Sequence, residues 1–183
     1  VQNTCYTEDP QVKARFMEWL KDISPGLKKI SFELDRKFMA SPALDQLDQA
    51  EFGMWIRSVK NSVEWYREEN IPLQTEEKEL DAKYDEVIGA MTIDFDGETR
   101  TLPYMGRILE ETDRDRREKA FRAVNERILQ DEDQIQTIFD RQLELRQQMA
   151  LNCGMDNYRT LRFSQLERFD YGPEACLQFH DSI

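Results

Sequence analysis

The stretch LDQAEFGMWIRSVKNSVEWYREE, residues 47–69, places Phe52, Trp55, Val59, Val63 and Tyr66 at successive steps of three and four, with Ile56 beside Trp55. At 3.6 residues per turn these side chains gather on one face of a helix, with the charged residues on the other. Working outward, the same period governs most of the chain. Upstream, Pro10 to Ile23 carries Val12, Phe16, Trp19, Leu20 and Ile23 on one face. Ser24-Pro25 then offers an N-cap residue with proline at the first helical position, so a restart is expected there. The new helix has a stripe of Leu27, Ile30, Leu34 and Phe38, and Ser41-Pro42 repeats the same device. Downstream, Asn70-Ile71-Pro72 interrupts the pattern, because the residue before a proline is pushed from the helical region. Thr75 is expected to cap the next helix, whose buried face is Leu80, Tyr84, Val87, Ile88 and Met91.

Between Thr92 and Leu102 the period changes to two. Ile93 and Phe95 alternate with polar residues, Asp96-Gly97 suits a tight turn, and Thr99, Thr101 and Leu102 continue a return strand. A lone two-stranded hairpin is marginal in water and must rest on helical side chains or on another part of the protein. Helical spacing then resumes. Pro103 starts a short helix to Leu109, and Thr112-Asp113 caps one with Ala120, Phe121, Val124, Ile128 and Leu129 inward. Asp131 opens another with Ile135, Ile138, Phe139, Leu145 and Met149 inward, and Gly154 stands where a left-handed C-terminal cap belongs. Tyr158 to Leu166 forms a further turn or two, and Gly172-Pro173 begins a last helix with Ala175, Cys176, Phe179 and Ile183. The last stripe has no cap or breaker after it, so the chain reads as cut within a longer one.

The expected fold is mostly α, antiparallel helical hairpins or a bundle with one small β-hairpin insert near 92–102. The softest boundaries, Ile71 to Gln74 and Phe169 to Gly172, divide it into N-terminal helical hairpins (1–71), a helical lobe with the β-hairpin (72–169) and one further helix (170–183).

Composition bounds the chemistry. The 183 residues hold 25 Lys and Arg against 37 Asp and Glu, a formal charge of -12, and such a surface repels a phosphate backbone. Nucleic acid is excluded as a partner on that ground. No stretch approaches the ~20 apolar residues of a membrane span. Cys5, Cys153 and Cys176 are an odd, widely spaced set that fits reduced structural thiols in a cytoplasm. The single histidine, His180, cannot supply the two imidazoles of a typical zinc hydrolase, nor the two Glu-x-x-His elements of a di-iron carboxylate bundle. Cys176 and His180, four apart, either form half of a metal site or place a core thiol beside a helix-edge imidazole. No Gly-x-Ser-x-Gly elbow, dinucleotide turn or phosphate loop occurs. The 37 acids offer too many carboxylate pairs to single one out. The mixed-sign run Glu110 to Lys119 makes surface ion pairs worth a few tenths of a kcal/mol each. Trp19, Phe52, Trp55, Trp65, Phe121 and Phe139 either line a peptide groove or pack a core. No catalytic, cofactor-binding or metal-ligating residue is assigned.

Three segments resemble the oligoendopeptidase F branch of the thimet-oligopeptidase-like zinc metallopeptidases. They are LEETDRDRREKAFRAVNER (Leu109 to Arg127), NCGMDNYRTLRF (Asn152 to Phe163) and RFDYGPEACLQFH (Arg168 to His180). The hairpin TIDFDGETRTL before them is similar to the family's, whereas residues 1–71 match only in helical character. Leu161 departs from the pattern, which has a second aromatic after Asn157-Tyr158. The resemblance implies the N-terminal helical part of a larger peptidase of short peptides. Its zinc and its His-Glu-x-x-His helix would lie beyond Ile183, and residues 170–183 would be the first helix of the catalytic domain. This chain would then be an inactive wall of the substrate channel, cytoplasmic, with an acidic surface that disfavours acidic peptides. Apolar surface left uncovered near Phe179 and the hairpin would invite self-association. The alternative is an independent helical interaction module; an acid-rich carboxylate enzyme is a distant third.

Overall fold

The computed structural model describes residues 9–183, so Cys5 lies outside the described residues. The chain runs α1 (Pro10–Glu18), a π-helical turn (Trp19–Ile23), α2 (Ser24–Met39), a 3₁₀ turn (Leu44–Gln46), α3 (Gln49–Trp65) and α4 (Asn70–Gly89). Then come β1 (Thr92–Phe95), β2 (Glu98–Thr101), α5 (Leu102–Ile108), α6 (Arg114–Leu129), α7 (Glu132–Asn152), α8 (Tyr158–Gln165) and α9 (Pro173–Asp181). The fold is mostly α with one small antiparallel hairpin, as the periodicities predict. By its contacts the described chain forms two compact units, each discontinuous in sequence: one comprises residues 9–16 with Lys78–Gln142, the other Met17–Glu77 with Leu143–Ile183.

The first unit is built around the hairpin. Ile93 pairs with Arg100 and Phe95 with Glu98, and alternation sends Ile93 and Phe95 inward while Thr92 and Asp94 stay exposed. Asp96 (φ 53°) and Gly97 (φ 82°) both take the left-handed conformation of the two-residue turn that matches strand twist. Below the strands, Met105, Ile108 and the 0 % exposed Ala120 complete a core with Ile93 and Phe95. Asp113 caps α6, accepting from the N–H groups of Asp115 and Arg116. That cap helps aim Arg116 at the turn, where its guanidinium lies 2.7 Å from Asp96 and Lys119 lies 3.1 Å away. Both cations also sit over the Phe95 ring. The hairpin thus rests on α5 and α6. The expected inward residues Phe121, Leu129 and Phe139 are instead exposed: α6 meets the hairpin core through Ala120, Ala123 and Val124, and Phe121 and Leu129 lie off that face.

In the second unit, α2 and α3 lie side by side, with Phe32 stacked on Tyr66 (3.9 Å, 8°) and Phe38 against Trp55 (4.4 Å). Asp48 caps α3 through Ala50 N–H. Met149, Ala150, Cys153 and Leu161 form a buried cluster joined by Trp65, Leu73, Met155 and Tyr158. At the end of α7, Gly154 (φ 74°) closes the helix as expected, with Met155 N–H on Ala150 O and Gly154 N–H on Leu151 O.

Four expectations are corrected. Ser24 opens α2 with Pro25 in the first turn, as expected, but is no N-cap: the backbone is already helical there, entering through a π turn in which Ser24 N–H donates five residues back to Trp19 O. Leu27, Ile30 and Leu34 are exposed, because α2 packs by the face of Phe32 and Phe38. Ser41-Pro42 leads into the short 3₁₀ turn, and the next α-helix waits for Asp48. Pro72 interrupts nothing: it is the third residue of α4, inside the first turn where a missing N–H costs no bond, and Thr75 donates its hydroxyl proton to Ile71 O instead of capping.

The Asp96 carboxyl is held below its ordinary value of 3.8, first by the Lys119 hydrogen bond and then by the charge of Arg116. A depressed folded value gives stability that is present above the unfolded value and lost as pH falls through the folded one. Asp96→Asn keeps a residue that tolerates positive φ but removes the charge. In urea titrations the wild type should exceed this variant above pH 3.8, with the gap closing in stronger acid. A gap that persists unchanged in acid would contradict the assignment.

Candidate functional site

A cleft lined by aromatic and charged groups lies in the second unit, bounded by α2, the end of α3 and the start of α4. It holds about 230 Å³ and is lined by Lys28, Phe32, Asp35, Trp65, Tyr66 and Gln74 among others. Its polar groups are largely committed to one another. Lys28 donates to Gln74 Oε1 at 2.7 Å, and Lys29 on the same helix pairs with Glu68. Arg67 at the rim donates to three backbone oxygens, those of Glu64, Tyr66 and Asn152. Burial against Phe32 pushes the Tyr66 phenol up, and the Glu68 carboxylate adds to the effect, so the ring is a neutral hydrogen-bonding group and not a base. The cleft has shape and aromatic surface but no activated nucleophile.

Behind it lies a buried polar cluster that sequence reasoning missed. Asn70, 3 % exposed, donates to Met149 O (3.1 Å) and to Cys153 Sγ (3.5 Å), and accepts from Asn152 Nδ2 (2.7 Å). The Cys153 thiol in turn donates to Trp65 O at 3.4 Å. Burial pushes this thiol up, with Arg67 and Asn70 partly opposing. It stays protonated and serves as a structural donor, as expected for a core cysteine. The signal in sequence was Asn70-Ile71-Pro72, read only as a break.

Cys176 and His180 stand on α9, the thiol half-buried and the imidazole exposed. Among the described residues, no group of three or more His, Cys, Asp or Glu side chains is placed to hold a metal ion. Of the six aromatics that could have lined one groove, Phe121 and Phe139 belong to the first unit, and Trp19, Phe52, Trp55 and Trp65 to the second. Among the described residues, no helix is long and apolar enough to cross a membrane.

The residues of the three recognised segments have structural tasks. Asp113 and Asn157 cap α6 and α8, Gly154 closes α7, Ala120 and Leu161 are 0 % exposed, and Gly172 precedes α9. Leu161, the departure from the aromatic pattern, fills its site completely.

No family model and no curated protein sequence matches the chain. Solved structures do. A Bacillus anthracis protein assigned as an oligoendopeptidase F superposes over 96% of this chain with a TM-score of 0.87 at 22% identity. The chain has the fold of an oligoendopeptidase F segment. A second oligoendopeptidase F structure gives 0.89 over 96% at 22% identity, and a PZ peptidase A solved with an inhibitor gives 0.85 over 95% at 23%. The chain spans about a third of the length of these structures (31–32%). At such identities the likeness establishes fold.

Thiol chemistry separates the two described cysteines. With iodoacetamide at mildly alkaline pH, Cys176 should be alkylated in the folded chain and Cys153 only once urea opens the core, as peptide mass mapping will read. Equal rates without urea would contradict the protonated, buried state of Cys153.

Proposed function

We propose that the chain is a noncatalytic helical part of a zinc metallo-oligopeptidase, forming one wall of the channel that admits short peptides. The observation that carries this reading is the superposition of nearly the whole chain on a third of each peptidase structure. The described side chains do not fit a zinc site, since three or more converging ligands are needed and none converge. In this reading the metal and its ligands belong to another part of the protein, and residues 170–183 lead into that part. The wall's own contribution is steric and electrostatic: packed helices limit the size of an entering peptide, and the net charge of -12 lowers the local concentration of acidic ones.

A second reading, an independent helical interaction module, is favoured by the apolar surface that α2 leaves open. Peptide cleavage decides between them. The product of the gene read past Ile183 should hold zinc, cleave short fluorogenic peptides and prefer basic over acidic ones, with loss of activity on chelation. The 183-residue chain should do none of this. A longer product without zinc or cleavage, or cleavage by the 183-residue chain alone, would overturn the proposal.

A further inference from the structure

Helix α2 keeps its most apolar line of side chains in solvent. Ile23, Leu27, Ile30 and Leu34, spaced four, three and four apart, are 47%, 52%, 59% and 60% exposed, and Trp19 at 47% continues the line across the π turn. At 1.5 Å per residue the seam is about 22 Å long. Spacing of this kind is what one helix presents to another. Gly26 lies on the same side. A Cβ built there would meet nothing within 4 Å among the described residues, yet a glycine inside a helix is unfavourable relative to alanine. A small residue beside an apolar seam allows close approach of another backbone.

The charge around the seam narrows the occupant. Trp19 to Met39 carries five basic and three acidic residues in a chain of net charge -12. Two copies of the chain repel one another overall, and pairing their α2 helices sets like excess charge against like. An apolar helix with acidic flanks has neither difficulty. About two thirds of each matching peptidase structure lies outside the part this chain spans, which supplies a source for such a helix.

We propose that the Trp19–Leu34 seam is a docking face for an acid-flanked amphipathic helix from the remaining part of the longer peptidase fold, with Gly26 at the point of closest approach. This rests on the reading of the chain as one part of such a protein, but it can fail separately. The face is the link between wall and catalytic part, so its partner is intramolecular in the full-length product.

The test places a thiol at the centre of the seam. Ile30→Cys is made in the 183-residue chain and in the gene product read past Ile183, and maleimide labelling at position 30 is followed by peptide mass mapping. The expected result is labelling at least about tenfold slower in the longer product, because the site opens only by local undocking. In the 183-residue chain, labelling should be fast and independent of concentration. Equal rates in the two, slowing in the short chain as its concentration rises (a second copy on the seam), or a gene ending at Ile183 would each overturn the proposal. Gly26→Met provides a second measurement. It should raise the Tm of the short chain, where the space is open, and lower that of the longer product; a rise in both would exclude close approach at Gly26. Zinc content and peptide cleavage of the unsubstituted longer product are recorded separately. Protection of position 30 without cleavage retains the docking face and discards the peptidase reading, and cleavage without protection does the reverse.

Discussion

Asn70 is the first residue of α4, and its buried amide binds the end of α7. Its Nδ2 donates to Met149 O and Cys153 Sγ, and its Oδ1 accepts from Asn152. These residues lie about 80 positions apart in sequence, as their placement in the chain shows, so the cluster fixes a long-range pairing that helix propensity cannot. Buried amides left unpaired cost about 1–3 kcal/mol, which makes the pairing selective: a slip of one residue along α7 would strand several donors and acceptors together. Around it, Arg67 donates to Asn152 O and the Cys153 thiol to Trp65 O, so the end of α3 is tied to the same point. Leu161 then packs α8 onto Met149, Ala150 and Cys153, and Asn61 donates to Ser164 O from α3. The second unit is assembled outward from this cluster, and the rims of its aromatic cleft are set by it.

The first unit solves a different problem, that of a hairpin too short to stand alone. Its solution is partly apolar, with Ile93 and Phe95 over Met105 and Ile108, and partly electrostatic, with Arg116 and Lys119 on Asp96. These ion pairs are partly exposed, so each is a modest stabiliser. Their effect is to hold the turn over one end of α6. The mixed-sign run Glu110 to Lys119, expected to make surface ion pairs, supplies Arg116 and Lys119 to them.

Where local rules decide, the sequence is readable. Asp113 caps α6, Asp96-Gly97 turns the hairpin, and Gly154 closes α7, because each depends on a few neighbouring atoms. Reading failed where distant contacts decide. Periodicity identified the apolar stripe on α2 but not its exposure, since spacing groups side chains on a face without saying what, if anything, covers it. Pro72 looked like a break because local geometry was weighed without the tertiary anchor at Asn70. The turn after α8 was equally hidden: Glu167 adopts φ 55°, with Arg168 N–H on Phe163 O, although glutamate gives no hint of a left-handed cap. For the site, the cleft and the Asn70 cluster were not legible, because both depend on three-dimensional juxtaposition of distant residues.

The likeness of fold to the peptidase structures holds at 22–23% identity. The account therefore stands on the claim that the Asn70–Asn152 bridge is a coupled, long-range constraint and not two independent polar residues. A double-mutant cycle of Asn70→Ala and Asn152→Ala, read by urea unfolding of the 183-residue chain, tests it directly. The account predicts a coupling energy of about 0.5–3 kcal/mol, with the two substitutions together costing less than the sum of each alone. Strict additivity would contradict it.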